Sequence, residues 1–477
     1  MHGRLILPAL RWRDDTGFGH EAETIASALN FGAGGFILFG GRPESVRTLT
    51  AELRKRAGRP LLIAADLERG AGQQFPGLTE FPPPAALAAL DDPEVIRAAA
   101  TTTALEALDL GVNWVLAPDS DLDIEPANPI VQTRSFGSDA KLVGVATALW
   151  VQACQEAGAL ACIKHFPGHG RTTRDSHDEV PSVDADRDTL ESTDLVPFRM
   201  GVLANVATVM TGHLRVPALD PTGTPATFSA PMLRFLREEL GFGGLIVTDA
   251  LMMGAAVQDA AGNPAVRALG AGCDLLCYPA DPKAAYDAIA EALRTGVLSK
   301  ARVEEALARY GEALLRAYLP HPLSPSQAAG QVGSGAAGQS EAIADRLLGR
   351  GLGRGAVPRL RVPIDLVIVD DDLGGAWPAS ATEYVEMALR SVGVAVDRGG
   401  SKVVLAFAEP RASKGRAGFG PESLAALNRH GDADVVIVFG HPRLAEEVPG
   451  DAPVLVAWHR QRLMQDAAAR WLVEHIG

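Results

Sequence analysis

Short runs of consecutive apolar residues recur along the first two thirds of the chain, separated by stretches with helical spacing. The runs are RLILPA (4–9), GGFILFG (34–40), PLLIAADL (60–67), NWVLAPD (113–119), ALACIKHF (159–166), ATVMTGH (207–213), GLIVTDAL (244–251) and CDLLCYP (273–279). They are continuous rather than alternating, as strands of a parallel sheet buried on both faces require. Between them, segments such as EAETIASALNFGA (21–33) and SVRTLTAELRKRA (45–57) space their apolar positions for one face of a helix. Eight such strand–helix units predict an α/β fold, a TIM-type (β/α)8 barrel over residues 1–320, with a doubly wound open sheet as the alternative. A stretch rich in Pro, Gly, Ser and Gln follows and reads as a linker over 321–340. Four further runs, IDLVIVD (364–370), KVVLAFAE (402–409), DVVIVFG (434–440) and APVLVAW (452–458), predict a smaller α/β sandwich over 341–477.

Composition narrows the class of partner. At 477 residues two domains are expected, and the net charge of −14, without a basic run, argues against nucleic acid or an anionic membrane as partner. No apolar stretch is long enough to span a bilayer, and the N-terminus shows no cleavable leader pattern. Four cysteines, Cys154, Cys162, Cys273 and Cys277, are too few for a disulfide framework, so the expected compartment is the cytoplasm. The last two fall in AGCDLLCYP, which reads as a buried strand.

In a barrel the chemistry collects where strands end. Strand three ends in Asp66, the fourth unit carries Asp119 and Asp121, strand five ends in Lys164 and His165, strand six in His213 and strand seven in Asp249. Any one of these has a plain reading as a helix cap. Together, acids, a lysine and imidazoles on one rim suit proton transfer and the binding of a hydroxyl-rich ligand. The loop leaving strand five, FPGHGRTTRDSH, turns at Gly168 and Gly170 and then places Asp175 two residues before His177. That spacing lets a carboxylate hold one imidazole nitrogen while the other faces substrate. Three readings of the stretch compete: metal ligation by His165, His169, Asp175 and His177, a structural polar loop, or an Asp–His acid/base dyad.

The segment KHFPGHGRTTRDSHDEVP (164–181) resembles the signature loop of glycoside hydrolase family 3, in its β-N-acetylglucosaminidase branch. GGFILFG, DLERGAGQQF, LAPDSDLDIEPANPIVQTRSFG, VMTGHLRVPALDPTGTPATFS and ELGFGGLIVTDALMM are similar to other blocks of that family, in order. The resemblance implies that Asp249 is the nucleophile and that His177, held by Asp175, is the general acid/base. It implies that Asp66, Arg134, Lys164 and His165 grip the sugar, with no metal or cofactor. The implied substrate is a terminal β-linked N-acetylglucosamine, typically on muropeptide fragments of the cell wall. Gln74 stands where the family usually has an arginine, with Arg69 as an alternative contact, and Ala250 stands where a second aspartate is common. β-Glucosidase specificity, transfer to phosphate, a metal-dependent barrel hydrolase and a non-catalytic sugar-binding barrel remain as other readings. His169 and His213 have no assigned role, and DDDLGG (370–375) reads as a solvated acidic turn in preference to a metal site. The second domain is expected to play a supporting or interface role.

Overall fold

The computed structural model describes the whole chain except residues 175–179, 255, 257–261, 320–324, 373–380 and 411–413, and the side chains of 325–334. The chain divides into two compact units. One comprises Met1–Thr79, Pro93–Glu125 and Ser135–Gly333; the other comprises Glu80–Asp92, Pro126–Arg134 and Ser334–Gly477. Two short segments, Glu80–Asp92 and Pro126–Arg134, group with the second unit.

The first unit is the expected barrel. Strand one is split into β1 (Ile6–Leu7) and β2 (Ala9–Arg11) by Pro8, which has no N–H to offer a neighbour. β3 (Gly35–Phe39), β4 (Leu62–Ala65), β5 (Trp114–Val115), β6 (Leu160–Phe166), β7 (Thr208–Thr211) and β8 (Leu245–Thr248) continue from β2 as one parallel sheet in chain order. β9 (Leu276–Cys277) closes the ring: it pairs in parallel with β1, Ile6 opposite Leu276, and its preceding residue Leu275 bridges to Val247 of β8. All seven residues of β6 are buried, as the unbroken apolar run requires.

Helices cover the outside, among them α1 (Ala22–Phe31), α2 (Pro43–Ala57), α3 (Pro93–Asp109), α4 (Ala140–Glu156), α5 (Val196–Leu203), α6 (Pro264–Ala271), α7 (Pro282–Thr295) and α8 (Lys300–Ala317). Their ends follow local chemistry. Asp139 caps α4 by accepting the N–H groups of Lys141 and Leu142, and Gly58 ends α2 in the left-handed region that a side chain would resist. Below the strands, the fully buried Asp274 is caged by Arg237, Arg302 and Arg309 and accepts the Ile246 N–H at 3.0 Å. Burial draws the Arg237 guanidinium down to about 10, against the opposing pull of Asp274.

The second unit contains the expected sandwich. β10 (Ile364–Asp370), β11 (Ser401–Ala408), β12 (Val435–Gly440) and β13 (Val454–Val456) form a parallel sheet in chain order. α9 (Tyr384–Ser391), α10 (Pro421–Arg429) and α11 (Arg462–Glu474) pack around it. From residue 325 the expected linker is a helix, Pro325–Leu348, because its alanines and glutamines outweigh scattered glycines. The acidic run after β10 is not a solvated turn. The side chains of Asp371 and Asp372 are buried, and Arg460, Lys414 and Arg416 supply the cations that make their burial tolerable. Leu373, Gly374 and Gly375 of that motif lie outside the described residues.

Candidate active site

The strand-end residues of the barrel meet where the sequence places them. The Lys164 side chain, 2% exposed, sends its ammonium to Asp66 Oδ1 and Glu68 Oε1, each at 2.7 Å. Glu68 is buried and Asp66 is the accessible member, so Asp66 is the carboxylate placed to accept a ligand hydroxyl. Glu68 was not singled out from sequence. It stands two residues past Asp66, where a strand-end search stops, although alternation along an extended segment would have turned it to the same side.

His165 is anchored by the fully buried Asp121. Its Nδ1–H donates to Asp121 Oδ2 at 2.7 Å, while the backbone N–H groups of His165 and His169 donate to Oδ1 at 3.2 and 2.7 Å. Burial alone would raise the Asp121 carboxyl, but His165, then His169, hold it down at about 2. Asp121 is thus an anion that orients the His165 imidazole and anchors the backbone at His169. Asp119 and Ser120 tie this segment to β6, through Asp121 N–H to Asp119 Oδ1 at 3.0 Å and Ser120 N–H to the Lys164 carbonyl at 2.7 Å. Asp119, Asp121 and His165 also bring donor atoms within 4.8 Å of one another, a spacing that would suit a metal. The donors of Asp121 and His165 are already engaged with each other and with the backbone, and the geometry is that of a hydrogen-bonded dyad.

Both glycines of FPGHG are required, for different reasons. Gly168 has φ near +130°, whereas at Gly170 a Cβ would lie 2.1 Å from the Leu122 carbonyl oxygen. His169 between them is buried and bonded through Nδ1 to Thr172 Oγ1. Burial lowers its imidazole to about 4; the charges of Asp121 and Asp249 oppose that fall. His169 is therefore neutral at neutral pH.

Asp249 leaves β8 half-exposed, with Oδ1 accepting the Ala250 N–H at 2.7 Å and its own N–H bonded to the Thr211 carbonyl at 3.1 Å. The next peptide is pinned from behind. His213 Nε2 faces the Ala250 carbonyl at 3.1 Å and must donate to it, and Nδ1 meets the Thr227 hydroxyl at 2.8 Å. His213, left without a role by the sequence, supports the Asp249 turn. The thiol of Cys277, at the end of β9, is pushed well up by burial first and then by the charges of Asp249 and Asp66. Strands three, five, seven and eight thus converge on one rim. All four cysteines are free and buried.

Asp175 and His177 lie outside the described residues. Arg134 belongs to the second unit, where its guanidinium donates to the Ile130 carbonyl at 3.3 Å. Gln74 accepts the Gly40 N–H at 3.0 Å, so this side chain joins two strand-end loops of the barrel.

The motif order, the barrel and this rim agree with a direct comparison: the family described as Glycosyl hydrolase family 3 N terminal domain matches residues 20–312. The chain belongs to glycosyl hydrolase family 3. It is 38% identical over 295 residues to a Beta-hexosaminidase of Alkalilimnicola ehrlichii, covering 59% of this chain and 82% of that one. It is 34% identical over 277 residues to a Beta-N-acetylglucosaminidase/beta-glucosidase of Cellulomonas fimi, covering 56% of this chain and only 49% of the relative. Among solved structures it is similar to a family 3 β-N-acetylglucosaminidase from Paenibacillus sp. str. FPU-7, with a TM-score of 0.84, 27% identity and coverage of 100% and 96%. No helix among the described residues is long and apolar enough to cross a membrane.

Proposed function

We propose that the chain is a retaining exo-β-N-acetylglucosaminidase. In this reading the Asp249 carboxylate attacks the anomeric carbon while His177, held by Asp175, protonates the departing glycosidic oxygen. A glycosyl ester on Asp249 forms, and water deprotonated by His177 then displaces it, so two inversions give retention. Asp66, Lys164 and His165 grip the sugar hydroxyls. The observation that carries the reading is the rim itself: a half-exposed strand-end carboxylate beside a charge-balanced Lys164–Asp66 pair and an oriented His165–Asp121 pair. The names of the Alkalilimnicola and Paenibacillus relatives support the acetamido sugar, and muropeptide fragments are the natural source we assign to it. Four buried free thiols support a reducing compartment, the cytoplasm.

A second specificity, for β-glucosides, is favoured by the double name of the Cellulomonas fimi relative. An imidazole in place of a second carboxylate also removes a charge that would repel phosphate, so phosphate competes with water for the intermediate in this reading. Chromogenic β-N-acetylglucosaminide and β-glucoside, compared with wild type, Asp249→Ala and His177→Ala, test the assignment. Cleavage confined to the acetamido sugar, lost in Asp249→Ala and indifferent to chelator, is expected. Equal cleavage of both sugars overturns the specificity, and loss of activity on chelation overturns the metal-free mechanism. Formation of N-acetylglucosamine 1-phosphate in phosphate buffer tests the acceptor; its absence leaves water alone.

A further inference from the structure

The second unit carries a surface that its described residues leave uncovered. α9 and α11 pack side by side, and a groove of about 560 Å³ runs between them. Its apolar wall includes Met387, Val392 and Val473, which are 55%, 63% and 37% exposed. Three large apolar side chains lining one groove form a contiguous patch of the kind that marks an interaction surface.

The charges on the same wall identify the occupant. Arg462, Asp466, Arg470 and Glu474 line the groove at four-residue steps along α11, so they form a single ridge reading plus, minus, plus, minus. Read in reverse the ridge is minus, plus, minus, plus. An antiparallel copy of the helix therefore sets Arg462 against the copy's Glu474 and Asp466 against the copy's Arg470, each pair occurring twice. A parallel copy would oppose like charges throughout. Within one chain Arg462 pairs with Asp466 at 3.2 Å and Arg470 with Asp345 at 2.8 Å, on side chains that are partly exposed. Exposed pairs of this kind contribute little and can exchange partners.

We propose that the protein is a two-fold homodimer in which α11 packs antiparallel on α11 of a second copy, the apolar side chains of each filling the groove of the other. The test is the mass of the full chain in solution by analytical ultracentrifugation across a concentration series, with native mass spectrometry. Twice the chain mass of 50.0 kDa is expected. Asp466→Arg and Arg470→Asp each bring like charges together at both symmetric contacts, and each is expected to weaken the dimer by about tenfold or more. Mixed together, the two variants are complementary and should form the heterodimer in preference to either homodimer. Circular dichroism of each variant checks that it is folded. A monomer at all concentrations, a dimer unaffected by either substitution, or two folded variants that fail to pair on mixing would each overturn the proposal.

Discussion

The buried imidazole of His169 makes the stability of the barrel depend on pH in a direction that can be worked out. Its folded value is about 4, against 6.5 for an exposed histidine, because burial penalises the charged ring. Between those values the unfolded chain binds a proton that the folded chain does not. Folding stability therefore falls as pH falls through this window, and is fully restored above 6.5. Integrating the difference gives a loss of about 2 kcal/mol between pH 7 and pH 5, and about 3 kcal/mol over the whole window. Asp121, held at about 2, loses its contribution only below pH 4 and does not contaminate the range. Urea unfolding of wild type and His169→Gln at pH 7, 6 and 5 reads the effect. His169→Gln is expected to be less stable at pH 7 but to lose about 2 kcal/mol less on acidification. Parallel pH dependences in the two proteins would refute the neutral, buried assignment.

Two further substitutions probe charge burial. Lys164→Met removes the buried ammonium shared by Asp66 and Glu68 and is expected to cost about 3–5 kcal/mol in chemical unfolding, as well as sugar affinity. A loss under about 1 kcal/mol would contradict a stabilising role for the buried ion pairs. Asp274→Asn removes the anion from among three arginines beneath the strands, and a similar loss of stability is expected with kcat unchanged in the surviving fold. A fall in kcat at full stability would contradict a purely structural role.

Most of the barrel was legible because buried parallel strands leave an unmistakable trace, an unbroken apolar run bounded by glycine or a helix. All eight runs contain an observed strand, although β5 shrinks to Trp114–Val115, with Asp119 beyond it in an isolated bridge to Lys164 and Asp121 in irregular backbone. Lys164, His165 and Asp66 were legible for the same reason, as polar residues closing apolar runs. The anchoring use of Asp121 and the His213–Thr227 support were not, because each depends on a partner outside its own segment. The run DDDLGG misled for a related reason: Arg460 and Lys414, which neutralise it, lie 40 or more residues away. Local acidity alone reads as solvated.

The central claim is that Asp249 forms a covalent bond to the sugar. Incubation with an activated, fluorine-substituted N-acetylglucosaminyl fluoride, which slows hydrolysis of the intermediate, followed by peptide mass spectrometry, tests it directly. The account predicts one adduct, on the Asp249 side chain within the peptide spanning LIVTDALMM, and none in Asp249→Ala. An adduct on another residue, or turnover without any adduct and with inverted product, would contradict it.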